Sequence, residues 1–437
     1  GTWSSGERVP AGVLAAGADG PALAWQVRHN GGWRVELRER LGREGDGVLV
    51  LGLFGPGDAD HGWLEGLEPG ATFRSVPVCV AGSPHGSEAA AASMTTLRRA
   101  LHGPRRDGAP YVVFNDYMNT LMGDPTTSTL LPLIDAAGRA GAEVFCVDAG
   151  WYDDGGDWWD SVGQWEPSTT RFPDGGLERV MAAIRSAGMV PGLWLEPEVV
   201  GVRSPVAEQL PPEAFLQRHG VRVVEHGRYL LDLRHPAAVA HLDGVVDRLV
   251  GDFGLAYLKL DYNVTPGPGT DRAASSVGAG LLEHNRAHLA WLDGVRSRHP
   301  GLMLENCASG GMRADDALLA RSELQSTSDQ QNPLLYPPIA AGALLAVLPE
   351  QAANWAYPQA AMSDEEIAFT MCTGLAGRLY LSGRLDLMDA RQLALVAEGV
   401  ALAKEWRRHL HSAVPGWPIG LPGWEDPWVA CGTSSAA

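Results

Sequence analysis

The pattern of apolar and polar positions changes near residue 105. Before this point, short apolar segments alternate with turns, as in ALAWQVRH (22–29), WRVELRE (33–39) and GVLVLGLFG (47–55). Helical periodicity is not sustained until residues 88–101. A succession of short strands bounded by turns is typical of all-β folds. We therefore predict an antiparallel β-sandwich, complete or partial, over residues 1–105.

From about residue 110, strongly apolar segments recur, and helical periodicity follows most of them. Strands that are apolar throughout indicate parallel strands buried on both faces. Eight such units in roughly 270 residues fit a (β/α)8 TIM barrel, whose usual size is about 250 residues. The predicted strands are YVVFND (111–116), EVFCVDAG (143–150), VPGLWLEP (190–197), YLLDL (229–233), YLKLDYN (257–263), LMLENC (302–307) and SELQSTSD (322–329), with an eighth at 351–355 or at RLYLSG (378–383).

Helices between these strands follow from the spacing of apolar residues. Leu177, Val180, Met181 and Ile184 recur at i, i+3, i+4 and i+7, and Pro236 begins a second helix that extends to Gly254. A doubly wound sheet is the competing α/β fold, but no G-x-G-x-x-G follows the first strand.

We therefore predict an α/β chain with three parts. A β-sandwich (1–105) precedes the barrel (106–385), and residues 386–437 form a helix near 390–409 followed by an incomplete C-terminal β segment.

Composition argues against several classes of partner. The formal net charge of −18 argues against binding to nucleic acid and to anionic membranes. No run of 18 apolar residues predicts a membrane span. The five cysteines are scattered and include no C-x-x-C pair, which favours reduced thiols in the cytoplasm. Fifteen tryptophans outnumber the tyrosines and the phenylalanines, and some of their rings could stack on sugars, although most are expected in the core.

Polar side chains collect at the C-terminal ends of the predicted strands. In a barrel these ends form the catalytic face. For Asp116 and Asp232, capping of the next helix is at least as good an explanation. The residues at the strand ends are Asn115, Asp116, Asp148, Glu196, Glu198, Asp232, Asp261, Asn263, Glu305, Asn306 and Asp329.

Two of these acids form a candidate catalytic pair. Lys259 and Asp261 lie on the same face of a strand, where they form either a structural ion pair or part of a site. A neighbouring lysine favours the ionised carboxylate that a nucleophile needs. Asp329 ends a strand two units later. Paired carboxylates without metal ligands are typical of glycoside hydrolysis, and retaining enzymes hold them about 5–5.5 Å apart.

Other chemistries have weaker support. His284 and His288 are spaced like zinc ligands on a helix, but HNRAH lacks the glutamate of H-E-x-x-H. No G-x-S-x-G is present. Cys307 in NCASGGMR is a candidate nucleophile, but the glycines that follow it indicate close approach of the backbone to a ligand. We expect no metal and no organic cofactor.

These motifs, in this order, resemble glycoside hydrolase family 36, the large α-galactosidases of clan D. The resemblance covers about residues 20–430 and is strongest over 111–333. YLKLDYN resembles the nucleophile strand and STSDQQN the acid/base segment, which implies that Asp261 is the nucleophile and Asp329 the acid/base. The resemblance further implies that sugar is bound by Asp148, Trp151, Trp194, Arg228, Lys259, Cys307 and Gly310.

The chain departs from the family pattern in two respects. VDAGWY has Ala149 where the family usually has a second aspartate. Losing one charged hydrogen bond to a sugar hydroxyl costs about 1.5–3 kcal/mol, enough to alter specificity. The regions on either side of the barrel are also shorter than in the family, so the resemblance implies a chain truncated at both ends.

We therefore predict a retaining, exo-acting α-glycosidase in the cytoplasm that acts on an oligosaccharide or glycoside. The resemblance favours an α-galactosidase. Ala149 leaves an α-N-acetylgalactosaminidase or another α-glycosidase of the same clan as an alternative. The short flanking regions leave a second alternative, an inactive carbohydrate-binding or scaffold protein. A homo-oligomer is left open.

Overall fold

The computed structural model describes residues 2–17, 19–41, 47–103 and 112–435. Its N-terminal region contains two antiparallel sheets, one with the strand order β1-β2-β5 and one that pairs β3 with β4. Antiparallel strands were predicted here, and their presence agrees with a sandwich-type region before the barrel. The strands are β1 (Ala11–Ala15), β2 (Ala22–Val27), β3 (Arg34–Leu41), β4 (Gly47–Phe54) and β5 (Val78–Ser83).

A long helix covers the first sheet. The region contains α1 (Asp58–His61) and α2 (Gly86–His102), and α2 confirms the helix predicted over 88–101. Ala90 and Met94 of α2 pack on the alanines of β2. The guanidinium group of Arg99 in α2 bonds to both carboxylate oxygens of Glu350, which joins this region to the barrel.

A closed barrel of parallel strands forms the centre of the described chain. The last barrel strand pairs with the first, which closes the sheet and leaves no free edge. The predicted barrel is thus confirmed. Its strands are β6 (Val113–Asn115), β7 (Val144–Val147), β8 (Val190–Leu195), β14 (Tyr257–Leu260), β15 (Met303–Asn306), β16 (Leu324–Ser326), β17 (Ala352–Ala356) and β18 (Arg378–Leu381).

The prediction that YLLDL (229–233) is a barrel strand is wrong. Between β8 and β14 the chain forms five short strands, and the one that overlaps YLLDL pairs antiparallel with two others in this segment. The leucines of YLLDL are buried although the strand is antiparallel. An apolar run alone therefore does not identify a parallel barrel strand. Both candidates for the eighth strand, now β17 and β18, belong to the barrel. The short strands are β9 (Val199–Gly201), β10 (Gln217–Arg218), β11 (Val221–Arg222), β12 (Val224–Glu225) and β13 (Arg228–Leu230).

Helices pack around the outside of the barrel. The helices predicted at 177–184, 236–254 and 390–409 are confirmed as α4, α6 and α11. Short 3₁₀ segments occur at Pro212–Ala214 and Leu385–Leu387, and a π-helical segment at Tyr117–Leu121. The helices are α3 (Thr127–Ala140), α4 (Gly176–Ser186), α5 (Val206–Gln209), α6 (Pro236–Phe253), α7 (Val277–Arg298), α8 (Asp316–Leu319), α9 (Pro337–Ala343), α10 (Asp364–Gly374) and α11 (Ala390–Leu410).

The final helix belongs to the outer layer of the barrel. Val396, Val400 and Ala403 of α11 are buried in the same apolar core as α3 and α4. Beyond α11, β19 (Val414–Gly416) and β20 (Gly432–Ser434) form a two-stranded antiparallel sheet. The boundary predicted at 385 remains a prediction, and both the boundary at 105 and Tyr111 of the first predicted strand lie outside the described residues.

Apolar residues fill both faces of the barrel sheet. Side chains such as Val113, Tyr257 and Met303 pack inside the barrel, while Phe145, Leu193 and others pack against the helices. This burial of both faces is why the strands are apolar throughout. Within the described residues, no helix combines the length and the apolar character needed to cross a lipid bilayer.

Two leucines of one 3₁₀ turn offer a matched test of the core. Leu385 is 1% exposed and belongs to the main core, whereas Leu387 is 59% exposed. We expect Leu385→Ala to lower the free energy of unfolding by about 2–5 kcal/mol and Leu387→Ala by less than about 0.5 kcal/mol. Thermal melting of both variants measures this, and equal shifts in Tm would contradict the packing described.

Candidate active site

Four hydrogen-bond donors converge on the carboxylate of Asp261, directly after β14. The indole Nε1 of Trp194 and the amide Nδ2 of Asn263 donate to Oδ2 at 3.1 and 3.0 Å. The backbone N–H groups of Tyr262 and Ser309 donate to Oδ1 at 2.8 and 3.2 Å. Donors to a carboxylate stabilise its charged form. The site is therefore built to hold Asp261 ionised.

The pKa of Asp261 shows the same balance. Burial alone would raise it, but the charge of Lys259 and the hydrogen bonds from Asn263, Tyr262 and Trp194 outweigh burial and lower the pKa below its ordinary value. The ammonium Nζ of Lys259 is hydrogen-bonded to Asp148 at 2.8 Å, not to Asp261. Lys259 thus acts on Asp261 through its charge, and the ion pair considered from the sequence is made with another strand.

Asp148 lies at the end of β7 and connects three neighbouring residues. Its Oδ2 accepts hydrogen bonds from Lys259 and from Nδ2 of Asn115, the latter at 2.6 Å. Its own backbone N–H donates to Oδ1 of Asp116 at 2.7 Å. All four side chains are buried. Residues from β6, β7 and β14 are therefore joined in one polar network at the catalytic end of the barrel.

Asp116 and Asp232 do not cap the helical segments that follow them. Asp116 makes no side-chain capping bond, and burial together with the charge of Asp148 raises its pKa well above the ordinary range. Its Oδ2 has no partner among the described residues. Asp232 pairs with Arg234, while the side chain of His235 caps α6. The capping explanation is thus wrong for both, and Asp116 belongs to the polar network.

The pKa of Asp329, three residues beyond the end of β16, is shifted in the opposite direction from that of Asp261. Burial and the charge of Asp261 raise its pKa to about 7, and Lys259 offsets only part of this increase. Its Oδ1 is buried without a hydrogen-bond partner in the described part of the chain. A carboxyl group with a pKa of about 7 is protonated in a large fraction of molecules at neutral pH, where an ordinary aspartate is ionised. Two carboxyl groups whose environments push their pKa values apart are suited to the roles of nucleophile and acid.

The loop after β15 connects the two acids. The backbone N–H of Ser309 donates to Asp261, and the next residue, Gly310, packs on the backbone of Asp329. A Cβ on Gly310 would lie 2.5 Å from the Asp329 nitrogen, and its φ of +79° also favours glycine. The glycines of NCASGGMR thus allow close approach to protein backbone, whereas the sequence had suggested approach to a ligand.

The alternative chemistries gain no support from this geometry. Burial and the charge of Asp261 raise the pKa of the Cys307 thiol well above its ordinary value, so the thiolate needed for attack is disfavoured. The ring of His284 contacts Glu198, and Nδ1 of His288 contacts Arg313. The described residues contain no group of three or more His, Cys, Asp or Glu side chains arranged to hold a metal ion.

Arg228 reaches the site through a second carboxylate. Its Nη1 donates to Oε2 of Glu196 at 2.5 Å, and Glu196 accepts the backbone N–H of Asn263 at 2.7 Å. Its guanidinium carbon lies 3.6 Å from the centroid of the Trp159 ring, a cation–π contact. The Nη2 of Arg228 is buried without a partner in the described residues. Arg228 therefore has an unused donor, but the side chain is completely buried and its link to the site runs through Glu196.

Aromatic side chains surround Trp194. Trp151 is fully buried, and its indole N–H donates to the carbonyl of Trp194 at 3.0 Å, so it supports Trp194 from below. Trp158 packs edge-on against Trp194 with ring centroids 5.5 Å apart. The sequence analysis missed Trp158 and Trp159. The high tryptophan content of the chain was a signal. Trp158 and Trp159, however, lie in a long loop after β7, where no periodicity predicts the position of a side chain.

The structure thus places the predicted site residues in three ways. Asp148, Trp194, Lys259, Asp261, Gly310 and Asp329 are joined by direct contacts or by direct charge interactions. Arg228 and Trp151 act through an intermediate residue, while Cys307 begins the loop that contacts both acids.

A family model described as melibiase matches residues 80–411. The chain belongs to the melibiase family. The predicted resemblance to glycoside hydrolase family 36 is confirmed by this family model and by curated relatives that are α-galactosidases, and solved family 36 structures share the fold.

Two curated relatives of this melibiase-family chain illustrate its similarity. An α-galactosidase of Escherichia coli is 28% identical over 299 residues, which cover 67% of this chain and 41% of the relative. The α-galactosidase AgaA of Geobacillus stearothermophilus is 24% identical over 313 residues, which cover 66% of this chain and 41% of that protein. The chain thus matches less than half the length of these relatives.

Two solved structures show the shared fold. The α-galactosidase AgaB of Geobacillus stearothermophilus superposes with a TM-score of 0.80 at 19% identity and covers 95% of this chain and 57% of its own. An α-galactosidase of Thermus thermophilus superposes with a TM-score of 0.61 at 21% identity and covers 90% of this chain and 80% of its own. The barrel of this melibiase-family chain is therefore the fold of known α-galactosidases.

The two acids should affect stability in opposite directions as pH changes. The folded pKa of Asp329 is raised to about 7 from 3.8, so the folded state binds more protons between these values and loses stability as pH rises through them. Asp329→Asn removes this loss and should raise Tm at pH 8 relative to wild type, with a smaller gain at pH 5.

Asp261→Asn is the matched control. The lowered pKa of Asp261 contributes stability that is present above its unfolded pKa and lost as pH falls below it. This variant should therefore lower Tm at pH 8. Thermal melting of both variants across pH 4–9 tests the assignment, and shifts of the same sign at pH 8 would contradict it.

Proposed function

We propose that this chain is a retaining α-galactosidase that removes terminal α-D-galactosyl residues. The observation that carries the proposal is a pair of acids, contacted by one loop, whose pKa values are shifted in opposite directions. Four donors and the charge of Lys259 lower the pKa of Asp261, whereas the pKa of Asp329 is raised to about 7. A retaining glycosidase needs this combination of nucleophile and acid.

In the proposed reaction, the ionised Asp261 attacks the anomeric carbon and forms a glycosyl ester. As the glycosidic bond breaks, Asp329 transfers its proton to the departing oxygen, so the first product leaves as a neutral alcohol. Asp329, now ionised, accepts a proton from water, which attacks the ester and releases the sugar and Asp261. Two inversions at the anomeric carbon give net retention.

The choice of galactose is supported by the relatives. The curated relatives are described as α-galactosidases, and solved structures of AgaA variants hold raffinose in one case and stachyose in another. We propose a glycoside of this kind as the substrate here. The side chains of Asp148 and Lys259 are the groups in this chain that would bind its hydroxyls, and Arg228 would act through Glu196.

Another α-glycosidase activity stays the alternative because of Ala149. Ala149 is buried and packs in the apolar layer that also contains Trp151 and Trp194. It cannot supply the charged acceptor that an aspartate would provide. Rates on α-galactoside, α-N-acetylgalactosaminide, β-L-arabinopyranoside and α-glucoside substrates would distinguish these activities, and a preference for any but the first would overturn the galactose assignment.

We also propose the cytoplasm as the location, supported by the five cysteines, which are all free thiols. The homo-oligomer that the sequence left open stays a prediction, which light scattering on the purified chain would test.

Removal of the nucleophile should abolish hydrolysis. We expect Asp261→Asn to lower kcat/KM on p-nitrophenyl α-galactoside by a factor on the order of 10³ or more, because no ester can form. Asp135→Asn, which removes an exposed carboxylate on α3, is the control and should match wild type.

Equal rates for wild type and Asp261→Asn would sink the enzyme proposal and leave the inactive carbohydrate-binding alternative. Retention is tested separately by NMR of the first-formed sugar. A β-configured product from an α-glycoside would contradict the double displacement.

The pH dependence should report both acids. Since Asp329 must be protonated to act as acid, kcat/KM should decline as pH rises through about 7, and it should decline on the acid side only below the ordinary pKa of Asp261. The rate profile on p-nitrophenyl α-galactoside measures this. Asp329→Asn should lose the basic limb, and persistence of that limb in the variant would assign it to another group.

A further inference from the structure

Glu305 is a buried carboxyl group that the proposed reaction does not use. It lies on β15, directly paired in register with Lys259 of β14, and its side chain is completely buried. The tyrosine rings that contact it, Tyr257 and Tyr380, belong to the apolar cluster inside the barrel. Glu305 is therefore below the catalytic surface and out of reach of a sugar.

Two tyrosine hydroxyls donate to the same oxygen of this carboxyl group. Tyr257 and Tyr380 both bond to Oε2 of Glu305, the latter at 2.7 Å. The other oxygen, Oε1, has no partner among the described residues. Burying a carboxyl group is costly unless it has a compensating role. The two tyrosines differ in what else they contact, and this difference indicates the role.

Tyr380 continues the hydrogen-bond chain to Asn115, whereas the Tyr257 hydroxyl, in the described part of the chain, contacts Glu305 and Tyr380 and neither Asn115 nor Asp148. The Tyr380 hydroxyl uses its hydrogen to donate a hydrogen bond to Glu305. The hydroxyl oxygen of Tyr380 therefore accepts a hydrogen bond from Nδ2–H of Asn115, at 3.2 Å. The second Nδ2–H of Asn115 then points to Oδ2 of Asp148, at 2.6 Å. The same Asp148 oxygen accepts Lys259 at 2.8 Å. Each O–H or N–H hydrogen along this path thus has its own acceptor, and the path runs from Glu305 through Tyr380 and Asn115 to Asp148.

We infer that Glu305 is a positioning residue: through Tyr380 and Asn115 it fixes the Asp148 carboxylate that binds the sugar. This relay rests on the proposed function in that Asp148 is taken to contact the glycone. Glu305 sets the direction of the Tyr380 hydroxyl. Tyr380 and the backbone N–H of Tyr117 together orient the amide of Asn115, which holds Asp148 beside Lys259. The sugar-binding group is thereby supported from inside the barrel.

The two tyrosines provide a matched pair of variants. Tyr380→Phe and Tyr257→Phe each remove one buried hydroxyl that donates to Glu305, but only the first interrupts the relay. We expect Tyr380→Phe to weaken galactose binding by about three- to tenfold, the value of a single hydrogen bond. Tyr257→Phe should stay within about twofold of wild type. Isothermal titration with galactose measures both, and thermal melting checks that the two variants are equally folded.

Substitutions of Glu305 itself separate the hydrogen bond from packing. Glu305→Leu removes the acceptor and should weaken galactose binding as Tyr380→Phe does. Glu305→Gln retains an amide oxygen that can accept both hydroxyls, so it should recover most of the affinity. In turnover the effect should appear as a higher KM with little change in kcat, because a binding group is displaced and the reacting carboxyl groups are not.

Equal galactose affinities for Tyr380→Phe and Tyr257→Phe would overturn the relay, as would failure of Glu305→Gln to bind better than Glu305→Leu. These readouts do not depend on hydrolysis. If wild type binds galactose with the expected relay dependence but shows no Asp261-dependent turnover, the relay stands and the proposed function fails. If wild type binds no galactose, both are wrong.

Discussion

The rest of the site depends on the ion pair between the buried ammonium group of Lys259 and the carboxylate of Asp148. Burial opposes a charge at this position, yet Asp148 above all, with Glu305 and Asp261, raises the pKa of Lys259 well above its ordinary value. A buried charge is tolerated only when it is paired and hydrogen-bonded. These partners come from separate strands, so β7, β8, β14 and β15 must pair before the charge is compensated.

Hydrogen-bond donors explain why the pKa values of the two neighbouring carboxyl groups are shifted in opposite directions. The charge of Lys259 acts on both Asp261 and Asp329, but Trp194 and Asn263 donate to Asp261 and not to Asp329. Once Asp261 is ionised, its charge adds to burial and keeps the proton on Asp329. Like charges in a low-dielectric site cannot both form at modest cost. The assignment of roles is thus fixed by where the hydrogen-bond donors lie.

Much of this arrangement could be predicted from the sequence, because a barrel places the C-terminal ends of its strands together. That rule brought Asp148, Asp261 and Asp329 to one face without any coordinates. The assignment of YLLDL to the barrel failed, because leucines are buried in a short antiparallel strand just as they are in a parallel barrel strand. The partner of Lys259 was also missed. Strand alternation gives the face on which a side chain lies, but not which residue of a neighbouring strand it meets.

The described N-terminal residues extend the site beyond the barrel. The hydroxyl of Thr2 donates to the Tyr262 hydroxyl at 2.6 Å, and Ser5 donates to the carbonyl of Gly311 at 2.7 Å. Tyr262 directly follows Asp261, the proposed nucleophile, and Gly311 directly follows Gly310, which packs on the backbone of Asp329. A displacement of this N-terminal segment would move Tyr262 and Gly311, and through them the neighbouring Asp261 and the loop glycine that contacts Asp329. The catalytic geometry is therefore a property of the barrel together with the segment that precedes it.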